Sequence, residues 1–448
     1  MRKFYIRTYG CQMNELDSEV MAGVLTKRGY TQTQNEEEAD CLIFNTCSIR
    51  DLAERKVLGK IGIIKRKIKK DAIIGIAGCM ATAKKQKLLQ KFSHVDFVLG
   101  ANDVSKLDDV LDIVSKEKKQ VLQVSNTFEE EPNYKIAKRQ SHVAAFVSII
   151  RGCNKFCSYC IVPYTRGREA SRNPDSIIDE CKALFDAGYK EVTLLGQNVN
   201  SYGKDRKTWN TRFHDLLYRI DRETELARVR FLTSHPVDIT RELMEAIRDL
   251  PSVCEFVHFP LQSGSNPILK KMNRHYSYEE YIEKVDMLRS IVGDVALGTD
   301  MIVGFPGETL SDFEKSIHAL KTIRYSLGFL FAFSPRQNTK AAALTNPIPE
   351  SEKKRRLQTL LSLQNAISKE MALEKVGKTL EVLVERTQDD GSLKGHTRCY
   401  KSVVFKGDPS LVGTRQNVHI ESLASQTLLG SIASPDLNAN VNDPTQHR

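Results

Sequence analysis

Three cysteines stand within eight residues of one another, in Arg151-Gly152-Cys153-Asn154-Lys155-Phe156-Cys157-Ser158-Tyr159-Cys160, directly after an apolar run at 145–150. A compact loop with this CxxxCxxC spacing aims three thiolates at one point. Three thiolates can hold three irons of a cubane 4Fe–4S cluster and leave the fourth iron open. A structural zinc site is the first alternative. It takes four ligands, normally two Cys pairs or a Cys/His set, and no fourth Cys or His lies close by at a matching spacing. Plain packing of three buried cysteines is the second alternative, and the tight spacing speaks against it.

The loop sits in a chain that alternates strands and helices. Phe4–Thr8, Cys41–Asn45, Ala72–Ala77 and Phe97–Leu99 read as strands. Asn14 reads as the cap of a helix to about Arg28, and a second helix ends in the basic stretch Lys65–Lys70. Such alternation implies parallel pairing, hence an open α/β sheet over residues 1–118. A charged stretch at 119–140, including Glu129-Glu130-Glu131-Pro132, reads as a linker. From 141 to 372 a second series has candidate strands at 145–150, 191–195, 229–232, 255–258, 296–302 and 328–332. Six βα-like units predict a partial (βα)6 barrel of TIM type. At 373–433 the pattern changes to short β-rich runs punctuated by Gly391, Gly395, Gly407 and Gly413, which predicts a small all-β barrel. The polar tail 434–448 is expected to be disordered.

A second group of cysteines emerges from this map. Cys11, Cys47 and Cys79 each lie just beyond a predicted strand of the first sheet. Carboxyl ends of parallel strands share one edge, where ligands bind. Three cysteines in three βα loops therefore converge, and Gly10 and Gly78 permit tight turns beside a bulky inorganic group. One cysteine at a strand end is ordinary packing; three in register point to a second iron–sulfur cluster. Cys41, inside its strand, and the isolated Cys181, Cys254 and Cys399 read as packing residues.

No run of about 18 apolar residues exists, so no membrane span is expected. Nothing at the start resembles a signal peptide. The expected compartment is cytoplasmic, where spaced cysteines act as metal ligands rather than disulfides. The net charge of +10 is compatible with a polyanionic partner and does not identify one.

The motifs themselves carry a close resemblance. Gly10-Cys11-Gln12-Met13-Asn14, Asn45-Thr46-Cys47-Ser48-Ile49-Arg50, Gly78-Cys79 and the Cys153 loop running on through Ile161-Val162-Pro163-Tyr164-Thr165-Arg166-Gly167-Arg168 resemble the methylthiotransferases of the radical-SAM superfamily. So do Leu195–Tyr202, Ser234-His235-Pro236, Pro260–Ser265 and Thr299–Thr309, and the resemblance extends to about residue 433. The Gln-Met-Asn and Thr-Cys-Ser-Ile-Arg forms are similar to the MiaB-type branch, the tRNA-2-methylthio-N6-dimethylallyladenosine synthases. The C-terminal β module resembles a TRAM domain. One difference is Gln337-Asn338, where the family often has Pro-Gly.

The resemblance implies an auxiliary 4Fe–4S cluster on Cys11, Cys47 and Cys79 and a radical-SAM 4Fe–4S cluster on Cys153, Cys157 and Cys160. It implies two S-adenosylmethionine molecules per turnover, one as methyl donor and one as radical source. The methylthio group would go to carbon 2 of N6-isopentenyladenosine at position 37 of tRNA. An aromatic C–H bond is not labile to acid–base chemistry, so radical generation by a cofactor suits the task. The anticodon loop presents unstacked bases that a protein can extract. Partners are then tRNA, an external electron donor and a sulfur source, with a monomer expected. Gly196, Gln197 and Asn198 at the end of the second barrel strand, with Gln262 and Asp300, are candidate S-adenosylmethionine contacts, or else they satisfy loop backbone. Lys65–Lys70, Lys353–Arg356 and Arg398 are candidate RNA contacts, or else solvated faces. Two other readings remain at this stage: the same chemistry on a threonylcarbamoyl-modified adenosine or a ribosomal-protein aspartate, and a non-catalytic, metal-stabilised RNA-binding protein.

Overall fold

The computed structural model describes residues 1–48, 51–128 and 131–433. Ile49 and Arg50 of the second cysteine motif, Glu129 and Glu130 of the charged stretch, and the tail expected to be disordered lie outside the described residues.

Six parallel strands form the first sheet: β1 (Lys3–Tyr9), β2 (Thr31–Gln32), β3 (Cys41–Thr46), β4 (Ile73–Gly78), β5 (Phe97–Gly100) and β6 (Val121–Gln123), in the order β2-β1-β3-β4-β5-β6. The four apolar runs read from the sequence are four of these strands. β2 has only two residues, both exposed, and offers no periodicity to read. The stretch read as a linker contributes β6 and buries Tyr134. It also donates Arg139, which bridges Glu19 of the first sheet's opening helix (Gln12–Lys27) and Glu180 of the second α/β unit, at 3.0 and 2.8 Å. Central strands such as β3 are apolar and buried on both faces, as parallel sheets require.

The second unit holds β7 (Ala144–Ser148), the short antiparallel pair β8 (Ile150–Arg151) and β9 (Ala170–Ser171), then β10 (Glu191–Leu195), β11 (Arg228–Phe231), β12 (Phe256–His258), β13 (Ala296–Val303) and β14 (Leu327–Ala332). Two parallel three-stranded sheets, β7-β10-β11 and β12-β13-β14, make an incomplete (βα)6 barrel. They meet through the Ser234 N–H, which donates to His258 O at 3.2 Å. The connecting helices start at strong caps. Ser277 and Thr309 each form a reciprocal capping box with a carboxylate three residues on.

Five further strands close into a barrel: β15 (Thr379–Thr387), β16 (Leu393–Thr397), β17 (Ser402–Phe405), β18 (Arg415–Ala424) and β19 (Thr427–Ile432). Arginines dock it to the (βα)6 unit. Arg228 and Arg230 donate to the backbone oxygens of His396, Thr397 and Arg398 at 2.6–2.7 Å. Arg398 returns the contact, pairing with Glu255 and donating to the carbonyls of Pro251 and Val253. Arg398 is therefore a docking residue rather than a free RNA contact. The same holds for two members of the basic stretch 353–356. Lys353 is buried against Glu350, and Arg356 between Glu308 and Glu352. Lys65, Arg66, Lys67, Lys69 and Lys70 are exposed, and the preceding helix ends earlier, at Ile64. No described helix is long and apolar enough to cross a membrane.

Candidate active site

Register brings the first three cysteines together. Tyr9 pairs with Thr46 and Thr46 with Gly78 across the adjacent strands β1, β3 and β4. Cys11, Cys47 and Cys79 follow those three residues by two, one and one positions. Adjacent strands stand about 4.8 Å apart, so the thiols occupy a patch about 10 Å wide on one sheet edge. Cys11 is the N-cap of helix Gln12–Lys27, its carbonyl accepting from the Asn14 and Glu15 N–H groups. Cys79 opens helix Cys79–Lys84. Both positions favour negative charge.

Asn14 is not the helix cap expected from its residue type. The helix begins at Gln12, and the Asn14 side chain is spent on β3. Its Nδ2 donates to Asn45 Oδ1 at 2.9 Å, and Asn45 Nδ2 donates back to Asn14 O at 2.8 Å. This exchange ties the Cys11 loop to the Cys47 loop.

Gly78 has φ +91° and ψ −160°, a region open essentially to glycine alone. A Cβ there would stand 2.4 Å from Asn45 Oδ1 and 2.6 Å from Thr46 O. Gly78→Ala is expected to cost on the order of 1–3 kcal/mol in backbone strain, with overlap added. The anaerobically reconstituted variant is expected to bind less iron than the wild type and to keep S-adenosylmethionine cleavage. Iron analysis with 5′-deoxyadenosine measurement checks this, and wild-type iron content would contradict it.

The Cys11 thiol is held down to about 6. A hydrogen bond donated by Cys47 is the largest cause, burial opposes it, and the Arg166 charge and the helix N–H groups assist. Cys79 is pushed up by burial, against the pull of Arg166. In the other set, burial pushes Cys153 up to about 12, and Cys160 is raised by burial and by the neighbouring Cys157. In iron-free protein, iodoacetamide at pH 7 is therefore expected to label Cys11 well before Cys153, although both are partly exposed. Labelling of Cys11 should slow as pH falls through about 6, because the thiolate is then protonated. Peptide mass spectrometry over a pH series reads this, and earlier labelling of Cys153 would refute it.

The Cys153 loop leaves β8 through Gly152, at φ +74°, where a Cβ would strike Arg168 O at 2.0 Å. Its backbone is pinned along its length. Gln197 Oε1 accepts from the Gly152 N–H at 2.5 Å, the Cys153 N–H donates to Gly167 O, and the Ser158 N–H donates to Met272 O. Asn273 donates to Phe156 O, which lets Phe156 hold φ +49°. Buried Arg274 donates from Nη1 to Cys157 Sγ at 3.3 Å, from Nε to Tyr276 and from Nη2 to Pro260 O.

Buried polar atoms without partners cluster at the mouth of this barrel. Ser148 Oγ, Asn198 Oδ1, Ser234 Oγ, His235 Nε2 and Gln262 Oε1 lie at the carboxyl ends of successive parallel strands and make no hydrogen bond. Burial and the nearby Arg274 and Lys155 charges hold His235 neutral. Its Nδ1 accepts from the Val237 N–H, so Nε2 carries the proton. Unsatisfied buried groups are costly, and a polar ligand with amino, carboxylate and hydroxyl groups satisfies such a ring.

The candidate S-adenosylmethionine residues divide. Gln262, at φ +73°, and Asn198 each keep a free oxygen toward the mouth, while Asn198 Nδ2 donates to Asp238 at 2.7 Å. Gln197 spends its carbonyl on the cysteine loop and supports it. Gly196 allows close packing, since a Cβ would stand 2.4 Å from Ile150 Cγ2. Asp300 faces His258 Nε2 at 3.2 Å. Ser148 was missed because nothing distinguishes a serine inside a strand. His235 lay within a motif quoted above but carried no role of its own. Asn338 takes φ +70°, a left-handed turn that asparagine tolerates.

Both sites fit iron–sulfur groups by the chemistry of their donors. Among the described residues, no three His, Cys, Asp or Glu are grouped as round a single metal ion. A cubane asks for a wider set, one iron to each thiolate. The thiols of Cys153 and Cys160 are raised by burial, and a cationic cluster core reverses that shift.

The model of the uncharacterized protein family UPF0004 matches residues 3–100, that of the radical SAM superfamily residues 147–320, and that of the TRAM domain residues 373–433. A tRNA-2-methylthio-N(6)-dimethylallyladenosine synthase of Protochlamydia amoebophila is 57% identical over 434 residues, 96% of each chain. This chain belongs to the tRNA-2-methylthio-N(6)-dimethylallyladenosine synthase family. A family member from Thermoanaerobacter pseudethanolicus is 45% identical, covering 96% of this chain and 92% of its own. Among solved structures, the radical S-adenosylmethionine methyltransferase TsrM from Kitasatospora setae aligns with a TM-score of 0.55 at 14% identity, over 76% of this chain and 74% of its own. The cobalamin-dependent radical enzyme OxsB aligns at 0.51 and 10%, over 81% of this chain and 56% of its own. At these identities the chain shares the fold of both.

Proposed function

We propose that the chain catalyses methylthiolation of carbon 2 of N6-isopentenyladenosine at position 37 of tRNA, in the cytoplasm, using two S-adenosylmethionine molecules per turnover. The observation that carries this reading is the second cysteine set. A CxxxCxxC loop on a partial barrel serves many radical reactions, whereas three further cysteines at a sheet edge add a place for sulfur. When bound, the cluster of Cys153, Cys157 and Cys160 would supply the electron that cleaves S-adenosylmethionine, and the cluster of Cys11, Cys47 and Cys79 would carry the sulfur taken from an external source.

The remaining work falls to the chain. Asn198, Ser234, His235 and Gln262 have free polar atoms with which to orient S-adenosylmethionine at the barrel mouth. Asp17 holds the two units in one relation. Its carboxylate pairs with Arg151 at 2.7 Å and with Arg166 at 2.9 Å, the residues that flank the radical-SAM cysteines. Cys160 and Arg166 are six residues apart, a span of at most about 20 Å, shortened by the helical turn Val162–Thr165. The target base would be extracted from the anticodon loop to reach both cysteine sets. The TRAM barrel, fixed by Arg228, Arg230 and Arg398, offers tRNA a rigid second surface. Electrons come from an external donor.

The test is anaerobic reconstitution with iron and sulfide, followed by reaction with reductant, S-adenosylmethionine and isopentenyl-modified tRNA, with nucleosides read by mass spectrometry. The expected product is 2-methylthio-N6-isopentenyladenosine. 5′-Deoxyadenosine without that product, in protein carrying both clusters, would overturn the substrate assignment.

A further inference from the structure

We propose that Arg166 is a positioning residue through which the radical-SAM unit tunes the iron–sulfur group held by Cys11, Cys47 and Cys79, its buried charge making that group easier to reduce. The inference rests on the two-cluster reading above. Arg166 belongs by sequence to the other cluster's loop, six residues past Cys160, yet its side chain crosses to the first sheet. There it is almost wholly buried, accepted by Asp17 Oδ2 at 2.9 Å and set against Cys79 and Cys11. Its Nη1 makes no hydrogen bond within the protein.

The contrast with Arg274 sharpens the point. Each cysteine set has one buried arginine against it. Arg274 is satisfied, with Cys157, Tyr276 and Pro260 taking its donors. Arg166 keeps one donor free. A buried, unpartnered guanidinium N–H is costly, and the sulfur-rich, anionic face of an iron–sulfur group beside Cys79 satisfies it. Hydrogen bonds and positive charge at cluster sulfurs raise the reduction potential, because one-electron reduction adds negative charge to the group. The electron comes from an external reductant, dithionite in the test, and no bond is broken.

The experiment is an anaerobic redox titration followed by electron paramagnetic resonance on full-length reconstituted protein. Cys153, Cys157 and Cys160 are replaced by alanine so that a single cluster reports. Iron analysis comes first. If the Cys11 set loads no cluster in this otherwise wild-type background, the two-cluster reading fails, and this inference with it. With the cluster loaded, Arg166→Gln is expected to lower the reduced-to-oxidised ratio at fixed potential at least about tenfold, a negative shift of about 59 mV for one electron. Arg166→Lys, which keeps the charge and loses the planar fork, is expected to stay near wild type. An unchanged potential in Arg166→Gln overturns the proposal, as do equal shifts in both variants, which mark a purely structural role. If Arg166→Gln loads no cluster, the neutral Arg166→Met is titrated in its place beside Arg166→Lys: a negative shift in Arg166→Met alone supports the charge effect, and an unchanged potential or equal shifts overturn it.

Discussion

Alanine at Cys153, Cys157 or Cys160 is expected to reduce 5′-deoxyadenosine formation to background, while alanine at Cys11, Cys47 or Cys79 leaves it intact and abolishes the methylthio product. In each case bound iron should fall from about eight to about four per chain, one cubane's worth. The asymmetry follows from the placement of the two sets. The Cys153 loop lies at the mouth of the barrel beside the free atoms of Asn198, Ser234, His235 and Gln262, where a small polar ligand fits. The Cys11 set lies on the edge of a separate sheet, with Arg166 between it and the barrel. Each cysteine set also has hydrogen bonds of its own that hold its loops, apart from the shared Asp17. The Cys153 loop is pinned by Gln197, Asn273 and Met272, and the other loops by Asn14 and Asn45. Iron analysis and product quantification on the six single variants check this. Equal loss of 5′-deoxyadenosine in both groups would show that the sets form one centre, contrary to the assignment.

The cysteine sets were legible in the sequence for different reasons. The CxxxCxxC loop is local, so its spacing alone fixes its geometry. The other three are scattered over 69 residues, and only the parallel register of β1, β3 and β4 unites them; strand ends read from apolar runs were enough to see this. Strands with strong apolar runs were found within a residue or two. Two-residue β2 and glycine-containing β16 and β19 were not, because their pairing is decided by tertiary partners rather than by local pattern. The arginines were the harder case. By residue type Arg398 and Arg356 belong outside, and a basic run reads as a surface. Only the fold shows that Glu255 and Glu308 meet them. Asp17, Arg151 and Arg166 were invisible as a unit for the same reason, since 134 and 149 residues separate the carboxylate from its partners.

Asp17→Ala is expected to cost about 3–5 kcal/mol in the stability of the iron-free protein, because it strands two buried guanidinium groups at once. Arg151 is entirely buried. Besides Asp17, its partners among the described residues are the Tyr134 hydroxyl at 3.2 Å, the Ala101 carbonyl at 3.1 Å and the Phe128 ring, none of which carries a formal countercharge. Among the described residues, Arg166 has no carboxylate partner besides Asp17. Replacing all three members with apolar side chains of similar size should cost less than Asp17→Ala alone, since it is the uncompensated charge, not the missing pair, that is expensive. Urea unfolding of the wild type, Asp17→Ala and the triple variant Asp17→Leu/Arg151→Met/Arg166→Met reads this through the midpoints. A triple variant less stable than Asp17→Ala would mean that the ion triad is a net source of stability. The expected order instead places its value in geometry: one carboxylate on helix Gln12–Lys27 fixes both ends of the radical-SAM cysteine loop against the sheet that carries the second set.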